Sequence, residues 1–519
     1  MIDATPALKL YARYRMRRLA AQDPAEVQEK ELLELVKKAA ATRFGADHRF
    51  PAIKSVEDFQ KRVPLRRYED FWTEYWKGDF PKLTDCTWPG AVPFFAVTSG
   101  TTTGVTKYIP CTREMNRSNI RAGVDLLVHH INNRPRSTIL AGKSFMLGGS
   151  TDLVEEAPGV RSGDLSGIAA SELPWWARPR YFPPLDLALI ADWQEKIDKL
   201  ARLSLAQDIR SISGTPSWLL MFFDKLAELR PGSGRRAIGF YPDLELLVHG
   251  GVNFAPYRRR FEELLEGSHA EMREVYAASE GFIAVADRDF ADGLRLILDN
   301  GLFLEFVPVD ELDKPNPTRH WLANVEKDAN YAVVVSTCAG AWSYIVGDTV
   351  KFIELEPPRL LVTGRTSYSL SAFGEHLIGE EIEESVTTAA EAVGAMITDY
   401  SVGALYPQKE GDLGGHLYIV EFSEPISDDA ALAAFSRALD EGLSATNEDY
   451  KVHRTGGFGL NPPRVQAVKP GTFASWMKSR GQLGGQHKVP RIINEQELFQ
   501  DLREFASRYQ VSHVPTTRH

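Results

Sequence analysis

The chain has 519 residues, of which 43% are hydrophobic and 25% are charged, and this composition is typical of a globular protein with two or more domains. A formal net charge of −10 argues against a nucleic-acid partner, and three widely spaced cysteines without a CxxC pair argue against a disulfide framework or a structural zinc site. The sequence shows neither an apolar run of ~18–20 residues nor a signal-peptide core, so we expect a cytoplasmic protein without a membrane partner.

Residues 5 to 45 have the hydrophobic spacing of two amphipathic helices. The first helix carries a basic cluster, Arg13-Tyr14-Arg15-Met16-Arg17-Arg18, which is the strongest candidate in the chain for a nucleic-acid contact. The solvated face of a terminal helix explains the same cluster without a ligand, and we adopt that interpretation.

A segment rich in serine, threonine and glycine follows the apolar run Val92 to Val97, which predicts a buried strand. The segment runs from Thr98 to Lys107, and a helical pattern from Glu114 to His130 comes after it. Glycines admit an anion close to the backbone, hydroxyls donate to phosphate oxygens, and a lysine neutralises charge. Two residues separate Gly104 from Lys107, so this is not a Walker loop. The alternative is a loop without chemistry that joins a strand to a helix.

Two later segments favour a ligand that lies against the backbone. Residues 144 to 186 form a loop-rich stretch that contains Gly163-Asp164-Leu165-Ser166-Gly167, and a long irregular stretch inside a domain is usually functional. A surface excursion is the alternative for this stretch. A strand that begins near Leu244 ends in Gly250-Gly251, where a ligand can approach main-chain atoms. We interpret His249, just before these glycines, as a packed residue.

Two carboxylates at strand ends suit nucleotide chemistry. A short strand ends in Tyr276-Ala277-Ala278-Ser279-Glu280, whose carboxylate is the hard oxygen ligand that Mg²⁺ uses together with phosphates and water. Tyr276 could stack on an adenine ring. The Gly347-Asp348 pair follows another apolar strand, and its carboxylate could accept hydrogen bonds from both ribose hydroxyls. A turn aspartate without a ligand is the alternative for Asp348.

Between these two segments, the apolar runs Leu294–Leu298 and Leu302–Val309 predict strands. Asn300-Gly301 lies between them, and this dipeptide favours a tight hairpin turn. We therefore expect the two strands to pair with each other.

The last third of the chain alternates strands and helices. Strands are predicted at 397–405, 416–422 and 465–468, and a helix is predicted over about 428–450. Near the end, Gly484-Gly485-Gln486-His487-Lys488 predicts a mobile loop that carries a lysine. A surface lysine without a role is the alternative.

Several of these segments resemble one family. The stretch Thr98 to Pro110 resembles the phosphate-binding signature of the adenylate-forming superfamily, and its Lys-Tyr-Ile-Pro ending resembles the Gretchen Hagen family of acyl acid–amido synthetases. Tyr-x-x-Ser-Glu, Gly-Asp and Gln-x-Lys-x-Pro-Arg motifs follow in the family's order, so the resemblance spans about residues 50 to 495. Ala277 and Ile345 depart from it, because the family has a glycine at the first position and often an arginine at the second. The segment Phe373 to Leu377 is closer to bacterial members.

The resemblance implies an α/β adenylate-forming enzyme fold. A large N-terminal α/β domain, 1–365, would hold ATP and the acyl acid, and a small mobile C-terminal α+β domain, 366–519, would supply Lys488. The catalytic residues implied are Lys488, Lys107 and Arg365. The nucleotide-binding residues implied are Thr98, Ser99, Gly100, Thr101, Thr102, Gly104, Tyr276, Ser279, Glu280 and Asp348. Glu280 would also hold Mg²⁺, and Leu165, Ser166, Gly250 and Gly251 would line the pocket for the acyl acid.

The implied reaction joins a small carboxylic acid to an amino acid. ATP would convert the acid into an acyl adenylate with release of pyrophosphate, and the amine of the amino acid would then displace AMP. An acyl-CoA ligase that uses the same adenylate is the first alternative. A nucleotide-binding homologue without turnover is the second, and the departures at Ala277 and Ile345 would suit it.

Overall fold

The computed structural model describes residues 2–509, apart from 100–105, 149–152, 174, 176, 189, 191–192, 252–253, 255–256, 289–291, 313, 367–368, 371, 373–376, 407–412, 427–428, 448–449, 452–453, 455–459 and 483–487. The backbone alone is described for Thr98, Ser99, Thr106, Trp193, Gln194, Ser217, Arg365 and Ser369. The chain divides into two compact units, Met1–Val362 and Thr363–His519.

Helices occur throughout both units. They are α1 (Thr5–Ala20), α2 (Pro24–Ala39), α3 (Arg43–Asp47), α4 (Val56–Arg62), α5 (Tyr68–Phe71), α6 (Arg113–Asn133), α7 (Leu165–Ser171), α8 (Leu185–Ala188), α9 (Trp193–Ser204), α10 (Pro216–Leu229), α11 (Arg258–Leu265), α12 (Gly379–Ala392), α13 (Asp429–Thr446), α14 (Thr472–Ser479) and α15 (Gln496–Ser507). Local signals begin several of them: the Asp23 side chain accepts a hydrogen bond from the Glu26 N–H and caps α2, whose first residue is Pro24.

The strands are β1 (Phe94–Ser99), β2 (Thr106–Cys111), β3 (Lys143–Leu147), β4 (Val154–Ala157), β5 (Val160–Gly163), β6 (Tyr181–Phe182), β7 (Ile209–Gly214), β8 (Leu246–Gly250), β9 (Glu271–Ala278), β10 (Gly281–Val285), β11 (Leu294–Leu296), β12 (Leu302–Pro308), β13 (Asn330–Thr337), β14 (Tyr344–Leu355), β15 (Pro358–Arg365), β16 (Ser369–Leu370), β17 (Leu377–Ile378), β18 (Ile397–Leu405), β19 (Gly415–Phe422), β20 (Arg464–Val468) and β21 (Ile492–Ile493).

An eleven-stranded sheet organises the N-terminal unit, in the order β12-β13-β14-β15-β11-β10-β9-β8-β7-β3-β6. The strands β6, β3, β7, β8 and β9 are parallel to their neighbours, whereas β10 and β11 continue the sheet in antiparallel pairs. Because parallel strands present their carboxyl ends at one edge, this part of the sheet gathers the residues that end β7, β8 and β9.

A smaller four-stranded sheet, β2-β1-β5-β4, contains the predicted strand at Val92 to Val97. The chain does not pass directly from β1 to a helix, as the sequence suggested. It turns back as β2, which pairs antiparallel with β1, and the helix α6 begins only after β2, with Thr112 as its cap. The Ser/Thr/Gly segment therefore begins in the last residues of β1 and ends in the first residues of β2.

The predicted pairing of the strands around Asn300-Gly301 is wrong. In the sheet, β11 pairs with β10 and β15, whereas β12 pairs with β13. Tertiary contacts occupy the connection: the Asn300 amide donates to the Phe282 carbonyl at 2.7 Å, and Asp299 forms a 2.7 Å ion pair with Arg15. These long-range contacts, and not a hairpin turn, fix the position of the connection.

Arg15 also corrects the interpretation of the basic cluster on α1. Its guanidinium is buried and pairs with Asp125 at 2.6 Å as well as with Asp299. The neighbouring Arg13, Arg17 and Arg18 are exposed, as predicted. One residue of the cluster therefore fastens α1 to the rest of the unit, because a buried guanidinium is tolerated only with such partners.

The C-terminal unit contains a four-stranded sheet, β20-β19-β18-β21. Its strands β18, β19 and β20 match the sequence predictions closely, and α13 occupies the predicted helix. One apolar cluster joins this sheet to α12 and α13, and a second joins it to α14 and α15. No helix within the described part of either unit is long and apolar enough to cross a membrane.

Candidate active site

The β1–β2 hairpin positions the predicted phosphate-binding lysine. In its register Thr98 faces Lys107, which is the second residue of β2. Gly100, Thr101, Thr102 and Gly104 fall outside the described residues, and Thr98 and Ser99 form the end of β1.

Lys107 is held at this position by two neighbours on α5. Its Nζ lies 3.3 Å from Glu69 Oε1 and 5.2 Å from the centre of the Tyr68 ring. The Tyr68 hydroxyl accepts a hydrogen bond from the Tyr108 N–H at 2.9 Å, which fixes α5 to β2. Because the Glu69 partner is largely exposed, this ion pair is weak and the ammonium can exchange it for a phosphate.

Glu280 is placed by a tight turn in the central sheet. β9 ends at Ala278, and Ser279 and Glu280 form the turn into the antiparallel strand β10. Only 9% of Glu280 is exposed. The hydroxyl of Tyr344, on β14, is hydrogen-bonded to Glu280, and burial together with this carboxylate raises the pKa of Tyr344 well above its ordinary value. Tyr344 is therefore a neutral phenol beside the carboxylate.

Asp348 projects from an irregularity in β14. The register with β13 shifts between Ala332 and Val334, so that three residues of β14 oppose one residue of β13. Gly347 lies in this bulge with φ of +93°, a conformation that favours glycine. The bulge turns the next residue, and the Tyr276 hydroxyl donates a hydrogen bond to Asp348 Oδ2 at 2.8 Å.

The two carboxylate segments are thus joined crosswise. Tyr276 and Glu280 belong to one segment and Tyr344 and Asp348 to the other, with the same spacing of four residues. Each tyrosine is hydrogen-bonded to the carboxylate of the opposite segment. The sequence analysis did not predict Tyr344 as a site residue, although the repeated tyrosine-to-carboxylate spacing was visible.

The two departures from the family pattern fit their surroundings. Ile345 is buried in an apolar cluster with Val307, Leu312, Ala332 and Val334, on the face of β14 opposite to Tyr344. Ala277 is exposed on β9 and pairs with Phe282, next to a shift in register between β9 and β10. Neither side chain therefore disturbs the two tyrosine–carboxylate pairs.

The predicted acyl-pocket residues lie on two separate elements. Leu165 and Ser166 begin α7, where the Asp164 side chain accepts a 2.8 Å hydrogen bond from the Ser166 N–H. The Ser166 hydroxyl is buried without a hydrogen-bond partner among the described residues. Gly250 ends β8, where a Cβ would meet the Val275 carbonyl oxygen at 2.3 Å, and Gly251 follows it. Glycine at 250 therefore permits the close approach of β8 to β9.

In the C-terminal unit, the residues after Lys488 are firmly anchored. The Pro490 carbonyl accepts a 2.6 Å hydrogen bond from the Ser401 hydroxyl. The Arg491 guanidinium lies 4.5 Å from the centre of the Tyr400 ring and forms a 2.8 Å ion pair with Asp399. Lys488 itself is exposed, two residues before this anchor. Arg365 is the last residue of β15.

Comparison with known families accounts for these motifs. The GH3 family N-terminal domain matches residues 15–270, the GH3 family central domain matches 295–365, and the GH3 family C-terminal domain matches 380–497. The chain belongs to the GH3 family. This is the Gretchen Hagen family that the motifs resemble. The central-domain match includes the segment Tyr344 to Asp348, whereas the segment Tyr276 to Glu280 lies between the first two matches.

The GH3 relatives include plant amido synthetases. The chain is 28% identical over 272 residues to the probable indole-3-acetic acid-amido synthetase GH3.9 of Oryza sativa subsp. japonica, a match covering 47% of this chain and 59% of the rice protein. It is 25% identical over 234 residues to the indole-3-acetic acid-amido synthetase GH3.3 of Arabidopsis thaliana, covering 42% of this chain and 38% of that protein. The chain thus matches less than two thirds of the length of these relatives.

Solved structures show that this GH3 chain has the adenylate-forming fold. The AtGH3.15 acyl acid amido synthetase in complex with 2,4-DB matches with a TM-score of 0.80 at 18% identity, covering 97% of this chain and 96% of that one. A 2-hydroxyisobutyryl-CoA ligase in complex with 2-HIB-AMP matches with a TM-score of 0.61 at 16% identity, covering 94% and 93% of the two chains.

Proposed function

We propose that this protein is an ATP-dependent acyl acid–amido synthetase, a ligase that forms a C–N bond and releases AMP. The observation that carries the proposal is the crosswise pairing of Tyr276 with Asp348 and of Tyr344 with Glu280, in a chain of the GH3 family. This pairing links two carboxylates in different surroundings. A nucleotide bound with its metal ion requires one carboxylate for the ribose and one for the metal.

Asp348 is suited to the ribose of ATP. Its Oδ2 already accepts the Tyr276 hydroxyl, so the carboxylate is oriented before a nucleotide arrives. A carboxylate can accept several hydrogen bonds, and Asp348 is proposed to accept those of the two ribose hydroxyls. Lys107, with its exposed ion-pair partner, is suited to a phosphate oxygen, and Thr98, Ser99, Gly100, Thr101, Thr102 and Gly104 are proposed to donate to the same phosphates.

The residues present fit a magnesium ion that arrives with ATP. Glu280 offers a buried carboxylate, which is a hard oxygen ligand, and Mg²⁺ bound to nucleotides commonly needs only one or two protein carboxylates. Bound there, the ion would neutralise phosphate charge. The hydrogen bond from Tyr344 holds Glu280 in position for that role.

The first half-reaction is the attack of the acid's carboxylate oxygen on the α-phosphate. A P–O bond forms to the acid, the bond to pyrophosphate breaks, and the acyl adenylate remains. Lys488 and Arg365 are proposed to stabilise the negative charge that develops on the phosphate oxygens. The anchor at Pro490 and Arg491 restricts the backbone next to Lys488.

The second half-reaction makes the amide. The free amine of an amino acid attacks the acyl carbon, the C–O bond to AMP breaks, and the amine loses a proton to solvent. AMP leaves far more readily than hydroxide, so adenylation makes the carboxyl group reactive toward an amine. Leu165, Ser166, Gly250 and Gly251 are proposed to line the acyl pocket. Cytoplasmic ATP and free amino acids would supply the reaction, and the cytoplasm is the proposed location.

Pyrophosphate release from Mg-ATP tests the proposal. The protein is incubated with a panel of aromatic and aliphatic acids, with mixed amino acids or with CoA, and the products are identified by mass spectrometry. Acid-dependent release with an amide product is the expected result. A thioester product would identify an acyl-CoA ligase instead, and ATP binding without release for any acid would identify a nucleotide-binding homologue.

A further inference from the structure

Two polar side chains beside the proposed acyl pocket, one buried and one half-buried, have no use in the mechanism above. His249 on β8 and Glu274 on β9 are register partners on adjacent parallel strands. Side chains of register partners lie on the same face of a sheet, about 4.8 Å apart along the hydrogen-bonding direction. Because side chains alternate along a strand, Glu274 also shares this face with Tyr276.

His249 has an unmet hydrogen-bonding need. The ring is buried and stacks on Phe254, with 3.7 Å between the ring centres. Its Nδ1 has no hydrogen-bond partner among the residues that the structure describes. Burial lowers the pKa of His249 to about 3, so the imidazole is neutral and offers one donor and one acceptor.

Glu274 is a half-buried carboxyl group on the same face of the sheet. Burial raises the pKa of its carboxyl to about 7, and no hydrogen bond or positive charge from the described residues offsets this effect. Unlike His249, Glu274 is partly exposed, so a ligand can reach it. A buried polar group without a partner costs free energy, and such groups persist at sites where a ligand supplies the missing hydrogen bond.

His249 and Glu274 lie next to residues of the proposed substrate site. His249 directly precedes Gly250 and Gly251, and Glu274 lies two residues before Tyr276, which holds Asp348. On the neighbouring strand β7, the register partner of His249 is Gly214, the last residue of that strand. The pair therefore lies at the carboxyl edge of the parallel strands, where ligands of open α/β sheets bind.

We propose that His249 and Glu274 form a polar subsite of the acyl pocket, which hydrogen-bonds a hydroxyl or ring N–H group carried by the acid. The substrate is then a carboxylic acid with a polar substituent remote from its carboxylate, and a purely hydrocarbon acid is a poor substrate. This inference rests on the proposed function, since it describes the acid that the same site activates.

Matched pairs of acids test the subsite. We would compare indole-3-acetate with 1-benzothiophene-3-acetate and 4-hydroxyphenylacetate with phenylacetate, by calorimetric binding in the presence of α,β-methylene-ATP and by pyrophosphate release with ATP. The wild type should prefer at least one polar acid over its partner by about 10- to 100-fold, the range expected when an analogue leaves buried groups without hydrogen bonds.

Three variants assign this preference to the pair. His249→Phe keeps the stacking on Phe254, and Glu274→Leu removes the carboxyl; each should reduce the preference at least about 5-fold, mainly by weakening the polar acid. Met272→Leu, two residues earlier on the same face of β9, is the control and should keep the wild-type preference. Glu274→Leu should also unfold at the same temperature as the wild type or a higher one, because it removes a polar group without a partner.

The outcomes separate this inference from the proposed function. Equal affinity for both members of every pair, or a preference unchanged in His249→Phe and Glu274→Leu, would overturn the subsite. Selective binding of the polar acids without pyrophosphate release would support the subsite and contradict the synthetase. A lower melting temperature in Glu274→Leu with unchanged preference would assign Glu274 a structural role.

Discussion

The Tyr276 hydroxyl donates a 2.8 Å hydrogen bond to Asp348, across the space between β9 and β14. The two residues are far apart in the sequence, and the sequence analysis gave them separate roles, adenine stacking and ribose binding. The hydrogen bond shows that one residue also positions the other. Tyr344 is hydrogen-bonded to Glu280 in the same way, so that each of the two carboxylates is positioned by a tyrosine.

Removal of the Tyr276 hydroxyl should weaken nucleotide binding. In Tyr276→Phe the Asp348 carboxylate loses its orienting donor, and we expect the Kd for ATP to rise about 10-fold, the value of one hydrogen bond to a charged group. Tyr331→Phe is the matched control, since Tyr331 is buried and its hydroxyl accepts from the Glu326 N–H. Isothermal titration with ATP decides the matter, and equal affinities in the two variants would contradict an orienting role for Tyr276.

The proposed role of Asp348 predicts that ATP binding depends on the ribose hydroxyls. We expect Asp348→Asn to bind ATP about 10- to 100-fold more weakly, because a charged acceptor is replaced by a neutral amide. The wild type should also discriminate against 2′-deoxy-ATP, and the variant should lose most of this discrimination. Competition binding with the two nucleotides measures it. If the variant kept the full discrimination, Asp348 would not be the ribose ligand.

Lys488 should act on the transition state and not on nucleotide binding. We expect Lys488→Ala to slow pyrophosphate release about 100- to 1000-fold, the size of effect seen when a charge-stabilising donor is removed, with ATP affinity nearly unchanged. Lys478→Ala changes another exposed lysine, on α14, and should retain activity. A rise in the Kd for ATP that accounted for the whole loss would argue against this role.

A buried histidine should make stability depend on pH. His130 Nδ1 lies 2.6 Å from Glu271 and its Nε2 lies 3.5 Å from Glu245, and these carboxylates raise the pKa of His130 in spite of burial. Protonated His130 therefore stabilises the fold fully below its unfolded pKa of about 6.5, and this contribution is lost as pH rises through the raised folded pKa.

Thermal melts of the wild type and His130→Gln between pH 6.5 and pH 8 measure this contribution. The difference in melting temperature between the two proteins should be largest at pH 6.5 and should shrink toward pH 8. Asn132→Gln, an exposed change near the end of α6, is the control. A difference that grows with pH would mean that His130 is neutral in the fold.

Local sequence patterns predicted the positions of helices and strands better than they predicted which strands pair with each other. The strand at 397–405 and the helix α6 follow from hydrophobic period and capping, which act between near neighbours. The pairing at Asn300-Gly301 failed because Arg15 and Phe282, remote in the sequence, bind that segment. For the same reason the motifs indicated Tyr276, Glu280 and Asp348 individually, whereas the crosswise contacts between them required the folded sheet.

The anchor at Pro490 and Arg491 limits the reach of the residue before it. Two extended residues span at most about 7 Å, so the Cα of Lys488 stays within a small sphere around a point fixed by Ser401 and Asp399. Adding one glycine between Lys488 and Pro490 would increase the radius of that sphere by about half, without removing any functional group. The proposed catalytic lysine is thus joined to a fixed point by a short length of chain, and that length is itself a property that selection or design can adjust.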